Sequence, residues 1–135
     1  MMVDRIIERL KVEQVWHDLC EADKSKNLDH IIDHFSDDII YHVSGFPPME
    51  GKDAIRDFIQ TDLLDDLKWG IDRTEVSESG DLAYSSVWFK MKWSGSDVYS
   101  EWKGILVYRK ISDVWKIVVE SYSINSEEGR EFMKT

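Results

Sequence analysis

Among the side chains able to do chemistry, Glu120 stands out: Tyr122 follows it by two residues and Val118 precedes it by two, in a run, Val114 to Ile124, with the alternation of a strand. If that face of the strand looks into the protein, the carboxyl sits among apolar neighbours. Desolvation then raises its pKa and makes it a usable general acid or base. Tyr122, Tyr108 and Tyr41 could donate to a substrate oxygen or to the carboxylate itself. If the face looks outward, Glu120 is a solvated carboxylate beside Lys116 or a lysine of the next strand. Both readings stand at this stage.

Four other groups carry weaker signals. His42 lies between Tyr41 and Val43 on a short β-rich run, as a candidate base or as a partly exposed, hydrogen-bonded side chain. His30 and His34 stand four apart on one helix, a spacing that can hold a metal, but no acidic or cysteine ligand shares their face and no metal is expected. Cys20 is the single cysteine, one helical turn beyond His17; on the apolar side of its helix it reads as a small core residue. Trp16, Phe46, Phe58, Phe89, Trp93 and Trp102 could line an apolar cavity or fill an ordinary core.

The elements that must position these groups follow from periodicity. Val3 to about Lys24 reads as one long helix with Ile6, Ile7, Leu10, Val15, Trp16, Leu19 and Ala22 on an inward stripe. Asn27 is an N-cap for a short second helix ending at Phe35. Asp37-Asp38 ends it, and Ile39–Ser44 is a strand stopped by Gly45-Phe46-Pro47-Pro48. A third helix runs from near Lys52 through Leu63 and Leu64. From Gly70 the period becomes two, giving strands Ile71–Val76, Leu82–Trp93, Val98–Lys110 and Val114–Ile124, separated by turn clusters. Short turns between long strands imply an antiparallel meander, and helices before strands imply α+β architecture. Ser126–Thr135 reads as a mobile or edge-docked tail.

Composition narrows the function classes. At 135 residues the chain is expected to be one domain, residues 1–135, with a core of about 3–124 and a tail of 125–135. The net charge of −10, without an arginine cluster or basic stripe, disfavours nucleic acid and anionic membranes as partners. A lone cysteine permits no intrachain disulfide and suits a reducing compartment. MMVDRIIERL lacks the apolar run of a signal peptide, and no segment approaches the ~20 apolar residues of a membrane span, so a cytoplasmic location is expected. There is no P-loop, Gly-rich dinucleotide turn or Ser nucleophile elbow, so nucleotide chemistry and serine hydrolysis are disfavoured; no cofactor is expected.

Several local patterns occur together and in order: Asp37-Asp38 before a strand, Pro47-Pro48-x-x-Gly51 leading into a helix, Gly80-Asp81-Leu82-Ala83-Tyr84 opening a strand, and Trp115-Lys116-Ile117-Val118 near the end. In this order the chain resembles the SnoaL-like branch of the nuclear-transport-factor-like (cystatin-like) superfamily, over about Val12 to Ser123. The resemblance implies a cone: three N-terminal helices on a strongly bent, mostly antiparallel sheet that encloses a pocket. It does not select a function, because the fold hosts isomerases, cyclases, hydrolases, dehydratases and binding modules. In the ketosteroid-isomerase branch, the general base aligns with Val43 and the oxyanion donors with Leu19 and Leu106. All three are aliphatic here, so that mechanism does not carry over; a register one residue away offers His42.

The same alignment implies which strand faces look inward: Tyr41 and Val43, then Val87, Phe89, Met91 and Trp93, then Trp102, Gly104, Leu106 and Tyr108, and finally Val118, Glu120 and Tyr122. Trp115, Ile117 and Val119 form the more apolar alternative face of the last strand, and that choice stays open. Relatives commonly dimerise through the outer sheet face, and Trp88, Ile105 and Val107 there are apolar, so a homodimer is expected. The expected ligand is a small apolar or carbonyl-containing molecule. The expected activity is cofactor-free proton transfer (isomerisation, cyclisation, dehydration) or hydrolysis, with Glu120 shuttling the proton; the alternative is a non-catalytic ligand-binding or dimerisation module.

Overall fold

The computed structural model describes residues 4–59 and 61–125. Helix α1 (Arg5–Lys24) starts where Asp4 accepts hydrogen bonds from the amides of Ile6 and Ile7, both at 3.1 Å. Helix α2 (Leu28–Asp33) starts at Asn27, whose side chain accepts from the His30 amide, as its residue type leads one to expect. Strand β1 (Phe35–Val43), a two-residue strand β2 (Met49–Glu50) and helix α3 (Lys52–Phe58) follow. Strands β3 (Leu64–Val76), β4 (Leu82–Trp93), β5 (Ser100–Ile111) and β6 (Val114–Ile124) complete a six-stranded sheet in the order β2-β1-β6-β5-β4-β3. Every pairing is antiparallel except β1 with β6. The architecture is α+β, with the helices against one face of an open mixed sheet.

Several expected boundaries are corrected, each for a physical reason. The third helix stops at Phe58, and Leu64 opens β3 rather than continuing it. Leu64 and Leu67 are both buried because Leu64 pairs with Trp93 and Asp66 with Lys92, which leaves Asp65 as an extra residue. A bulge thus stretches the two-residue period of a strand to three, which imitates a helix. Phe35, expected to end the second helix, instead opens β1 opposite Ile117, and the strand bulges before Ile40 pairs with Val119. β2, unforeseen in the Pro-rich loop, pairs Met49 with Tyr41 at the sheet edge. Gly51 then turns the chain into α3 with φ +86°, a value that disfavours any residue with a Cβ, while its amide donates to Ile39 O at 2.8 Å. The tail expected beyond Ser126 and the helix start at Val3 lie outside the described residues.

Helix α1 also departs from the expected stripe in its first turns. Ile6, Ile7 and Leu10 are exposed, and Glu8 is buried in their place. Lys110 Nζ donates to Glu8 Oε1 at 2.9 Å and Trp115 Nε1 to Oε2 at 2.6 Å, so this carboxylate ties the helix to the hairpin between β5 and β6. Burial pushes its pKa up, but the hydrogen bond from Lys110, then that from Trp115, outweighs burial and holds it below the usual carboxylate value. Further along, Val12, Trp16, Leu19, Cys20 and Ala22 enter the core. Glu8→Ala is expected to destabilise the fold by about 2 kcal/mol in urea unfolding, the scale of a hydrogen bond to a charged group. Lys11→Ala, whose exposed Nζ lies 3.6 Å from Glu8, should change stability by under about 0.5 kcal/mol. Equal effects of the two would show that the Glu8 network does not hold the helix.

On β4 and β5 the inward face carries Val87, Phe89, Met91, Trp102, Leu106 and Tyr108, with Val87, Leu106 and Tyr108 fully buried. The opposite face exposes Tyr84 and Ile105. On β6, Val107 pairs with Val119 but Tyr108 pairs with Ile117, so Val118 is the extra residue of a bulge. The strand changes face there. Trp115 and Ile117 are buried on one side of the bulge, Glu120 and Tyr122 on the other, and all four lie on the core side of the sheet. The two alternative faces of the last strand are each correct for half of it.

Candidate functional site

Helices α1, α2 and α3 and the inward sheet face enclose a cavity of about 470 Å³. Its floor is built by β6 and its neighbours. Glu120 stands beside Tyr41 of β1 and opposite Leu106 of β5, while Tyr122 stands beside Val43 and opposite Gly104. The missing side chain of Gly104 matters here. A Cβ at that position would lie 2.3 Å from Tyr122 Cδ1, so the tyrosine ring lies against the bare glycine backbone.

The other sequence-designated residues fall into two groups. Trp16 reaches the cavity from α1, held by its indole N–H donating to Gly70 O at 3.2 Å. Phe89, Met91 and Trp93 reach it from β4 and Trp102 from β5; Phe89 and Trp102 stack with centroids 5.9 Å apart. Phe46 and Phe58 form an edge-to-face pair at 4.9 Å, with Phe46 well exposed at the mouth. Val43, Tyr41, Tyr122 and Glu120 complete the set that meets at the cavity. His42 does not join them: it is exposed, on the face opposite Tyr41 and Val43. Leu106 and Tyr108 are fully buried in the core but do not line the cavity, and Val118 is diverted by its bulge. Leu19 and Val43, where the ketosteroid-isomerase pattern would put a donor and a base, both line the cavity as aliphatic side chains.

Glu120 is 1% exposed, and its Oε1 has no hydrogen-bond partner within the protein. Burial raises its pKa to about 8; hydrogen bonding from Tyr122 pulls it back, and the charge of Asp23 adds to the rise. Tyr122 and Tyr41 are held as neutral phenols, first by burial and then by Glu120, so both remain hydrogen-bond donors. Tyr41 and Tyr122 meet at 5.7 Å, and Phe89 meets Tyr122 edge-on at 5.1 Å.

Asp23 was missed in the sequence. It lines the same cavity from the last turn of α1, and burial raises its pKa to about 7. The signal was present: Asp23 lies four residues beyond Leu19 and seven beyond Trp16, a carboxyl on the apolar stripe. Asp57 adds a third carboxyl at the exposed edge. Cys20 lines the cavity too, but burial first and Asp23 next push its thiol up, which disfavours the thiolate. His17 is engaged elsewhere, with its Nδ1 accepting from Trp69 Nε1 at 3.0 Å. His34 Nδ1 is 2.7 Å from the His30 carbonyl oxygen of its own helix, and no group of three or more metal-ligating side chains occurs among the described residues.

Helices packed over a cavity against an open mixed sheet match the cystatin-like α+β fold. Within it, the chain belongs to the SnoaL-like domain family, whose family model matches residues 16–118. A ketosteroid isomerase-like protein from Erwinia carotovora atroseptica superposes with a TM-score of 0.76 at 18% identity, over 88% of this chain and 97% of that one. A cystatin-like domain of unknown function from Nostoc punctiforme gives 0.80 at 14% identity, over 97% and 85%. A protein provisionally described as a scytalone dehydratase, from Novosphingobium aromaticivorans, gives 0.76 at 12% identity, over 90% and 86%. At these identities the likeness is one of fold. No curated protein matches the chain by sequence. Among the described residues no helix is long and apolar enough to cross a membrane.

Proposed function

We propose that the protein binds a small, largely apolar carbonyl compound in this cavity and catalyses its isomerisation, cyclisation or dehydration by proton transfer without a cofactor. One observation carries the reading: Glu120, almost wholly buried, has an unpartnered oxygen in an aromatic cavity beside two neutral phenols. In the enolisation such a reaction needs, ionised Glu120 takes a proton from the carbon next to the carbonyl. The C–H pair moves into the enolate, and Tyr122 or Tyr41 donates a hydrogen bond to the developing oxyanion. Return of the proton from Glu120 to another carbon completes an isomerisation. Burial raises Asp23 to about 7 and Glu120 to about 8, so between these pH values the pair holds about one proton in all. The neighbouring ketosteroid isomerase-like and dehydratase-like folds are compatible with such chemistry and do not specify it.

The test is deuterium exchange at the α-carbon of apolar cyclic ketones in heavy water, followed by NMR. Wild-type protein should accelerate exchange, with a rate that rises toward about pH 8 as Glu120 ionises. Glu120→Gln should lose roughly 100-fold or more and Tyr122→Phe about tenfold, the range of general-base and single-donor effects. Ketones that bind without exchanging would overturn the enzyme reading and leave a carrier. The aliphatic Val43, Leu19 and Leu106 at the branch's catalytic positions are the observation that favours that second reading.

A further inference from the structure

The charge on the cavity wall is one-sided. Asp23, Asp57 and Glu120 line it, and among the described residues no lysine, arginine or histidine does. Proteins rarely bury a carboxyl without a partner, because the group loses its hydration and gains nothing in return. Glu8 shows how this chain otherwise handles the problem, with Lys110 and Trp115 brought to its two oxygens. Glu120 has no such cation, and its Oε1 is left without a partner. With no donor from the protein, that oxygen is open to whatever fills the cavity.

The rest of the wall favours one kind of partner. Trp16, Tyr41, Phe89 and Tyr122 line the same cavity as Glu120, with Trp16 and Tyr122 centred 6.4 Å apart and Trp16 and Phe89 6.3 Å apart. Ring faces attract a cation within about 6 Å of their centroids, most strongly when water is excluded. A carboxylate-bearing ligand would meet like charge and no compensating donor cluster except phenols. A neutral ligand would satisfy the hydrogen bonds of Glu120 but leave the acidic bias unused. The cavity volume of about 470 Å³ is within the range that accommodates compact organic molecules.

We infer that the ligand is an apolar organic cation, its ammonium seated between the Asp23 and Glu120 carboxyls and the faces of the surrounding aromatic rings. The inference rests on the proposal that this cavity is the ligand site, and it adds the charge of the ligand to that reading. The titratable groups around the cation would be Cys20 and Asp23 from α1, Tyr41 from β1, Asp57 from α3, and Glu120 and Tyr122 from β6. The linings contributed by β3, β4 and β5 are apolar or aromatic. A bound cation stabilises both carboxylates, so its arrival releases protons from groups that otherwise titrate near 7 and near 8.

Three probes of one shape test this: naphthylmethyl-trimethylammonium, which is permanently charged, naphthylmethanol and naphthylacetate. Binding is read by quenching of tryptophan fluorescence and by calorimetry in two buffers of different ionisation enthalpy. The cation should bind at least tenfold tighter than the alcohol at about pH 8, and the acetate should be weakest. Cation affinity should rise at least fivefold from about pH 6 to about pH 9 with proton release near neutrality, while alcohol affinity stays flat. Asp23→Asn with Glu120→Gln should remove the preference, bringing the cation and alcohol affinities to within about twofold of each other. If the alcohol binds as tightly as the cation and neither depends on pH, the inference falls while the ligand site stands. If none of the three binds, both fall. The pH series on wild-type protein decides the matter even if the double variant fails to fold.

Discussion

Glu120→Gln is expected to make the protein more stable than wild type in alkaline solution, by about 4 kcal/mol near pH 9, and nearly neutral in effect near pH 5. Glu120 titrates near 8 in the fold and near its ordinary value of 4.5 in the unfolded chain. Below that lower value the group is protonated in both states and contributes no dependence on pH. Between the two values the unfolded chain has released the proton and the fold retains it, so stability falls as pH rises. Above about 8 both states are ionised and the cost is complete; at about 1.4 kcal/mol per pH unit it is somewhat over 4 kcal/mol. Glutamine keeps the size and polarity without the charge and removes that penalty. Thermal unfolding at about pH 9 should shift up by about 12 °C in a chain of this length. Asp23 retains a slope of the same sign in the variant, which reduces the pH dependence without abolishing it. A wild-type stability that is flat between about pH 5 and about pH 9 would show that Glu120 is not desolvated. A group selected for stability alone would not be a lone buried carboxyl, so a gain on neutralisation would also mark this position as kept for function.

Gly104→Ala should destabilise the fold by about 2 kcal/mol and empty the tyrosine from the site at the same time. The methyl group would lie 2.3 Å from Tyr122 Cδ1, 2.6 Å from Cε1 and 3.0 Å from Ser121 O. The ring cannot slide aside cheaply, since Trp16, Tyr41 and Phe89 all face it with centroids between 5.1 and 6.4 Å. Displacement takes the phenol away from Glu120 and so removes an influence that lowers the carboxyl's pKa. Urea unfolding of the single variants and of Gly104→Ala with Tyr122→Ala measures the interaction directly. The alanine at position 104 should cost at least about 1 kcal/mol less when Tyr122 is already truncated. An equal cost in both backgrounds would place the clash at the Ser121 carbonyl instead.

Much of the molecule was legible in the residues. The cap at Asn27, the turn into α3 at Gly51 and the alternation along β4 and β5 each act through neighbours close in sequence, and each was read from the chain. Trp16, Phe46, Phe58, Phe89, Trp93 and Trp102, for which the sequence left cavity wall and ordinary core both open, meet at the cavity. His42 was the candidate that alternation alone should have set aside once Tyr41 and Val43 were placed inward, because adjacent residues on a strand face opposite ways.

What local pattern could not supply is where a strand loses its register. Asp65 and Val118 are inserted by bulges whose existence depends on how the partner strand pairs, and each shifts the faces beyond it. For that reason Leu64 resembled the end of a helix, and the last strand resembled two competing strands. Asp23 and Glu8 show the same limit on the helix. The stripe marks which side turns inward, but only the tertiary fold brings Lys110 and Trp115 to Glu8 and leaves Asp23 facing a cavity without a cation. Sequence by itself determined the α+β class through its periodicity, and the order of its local motifs carried the family resemblance, which in turn implied the inward strand faces. The state and partners of the buried carboxyls were decided by the tertiary structure, because desolvation and Coulomb interaction depend on distance through space and not along the chain.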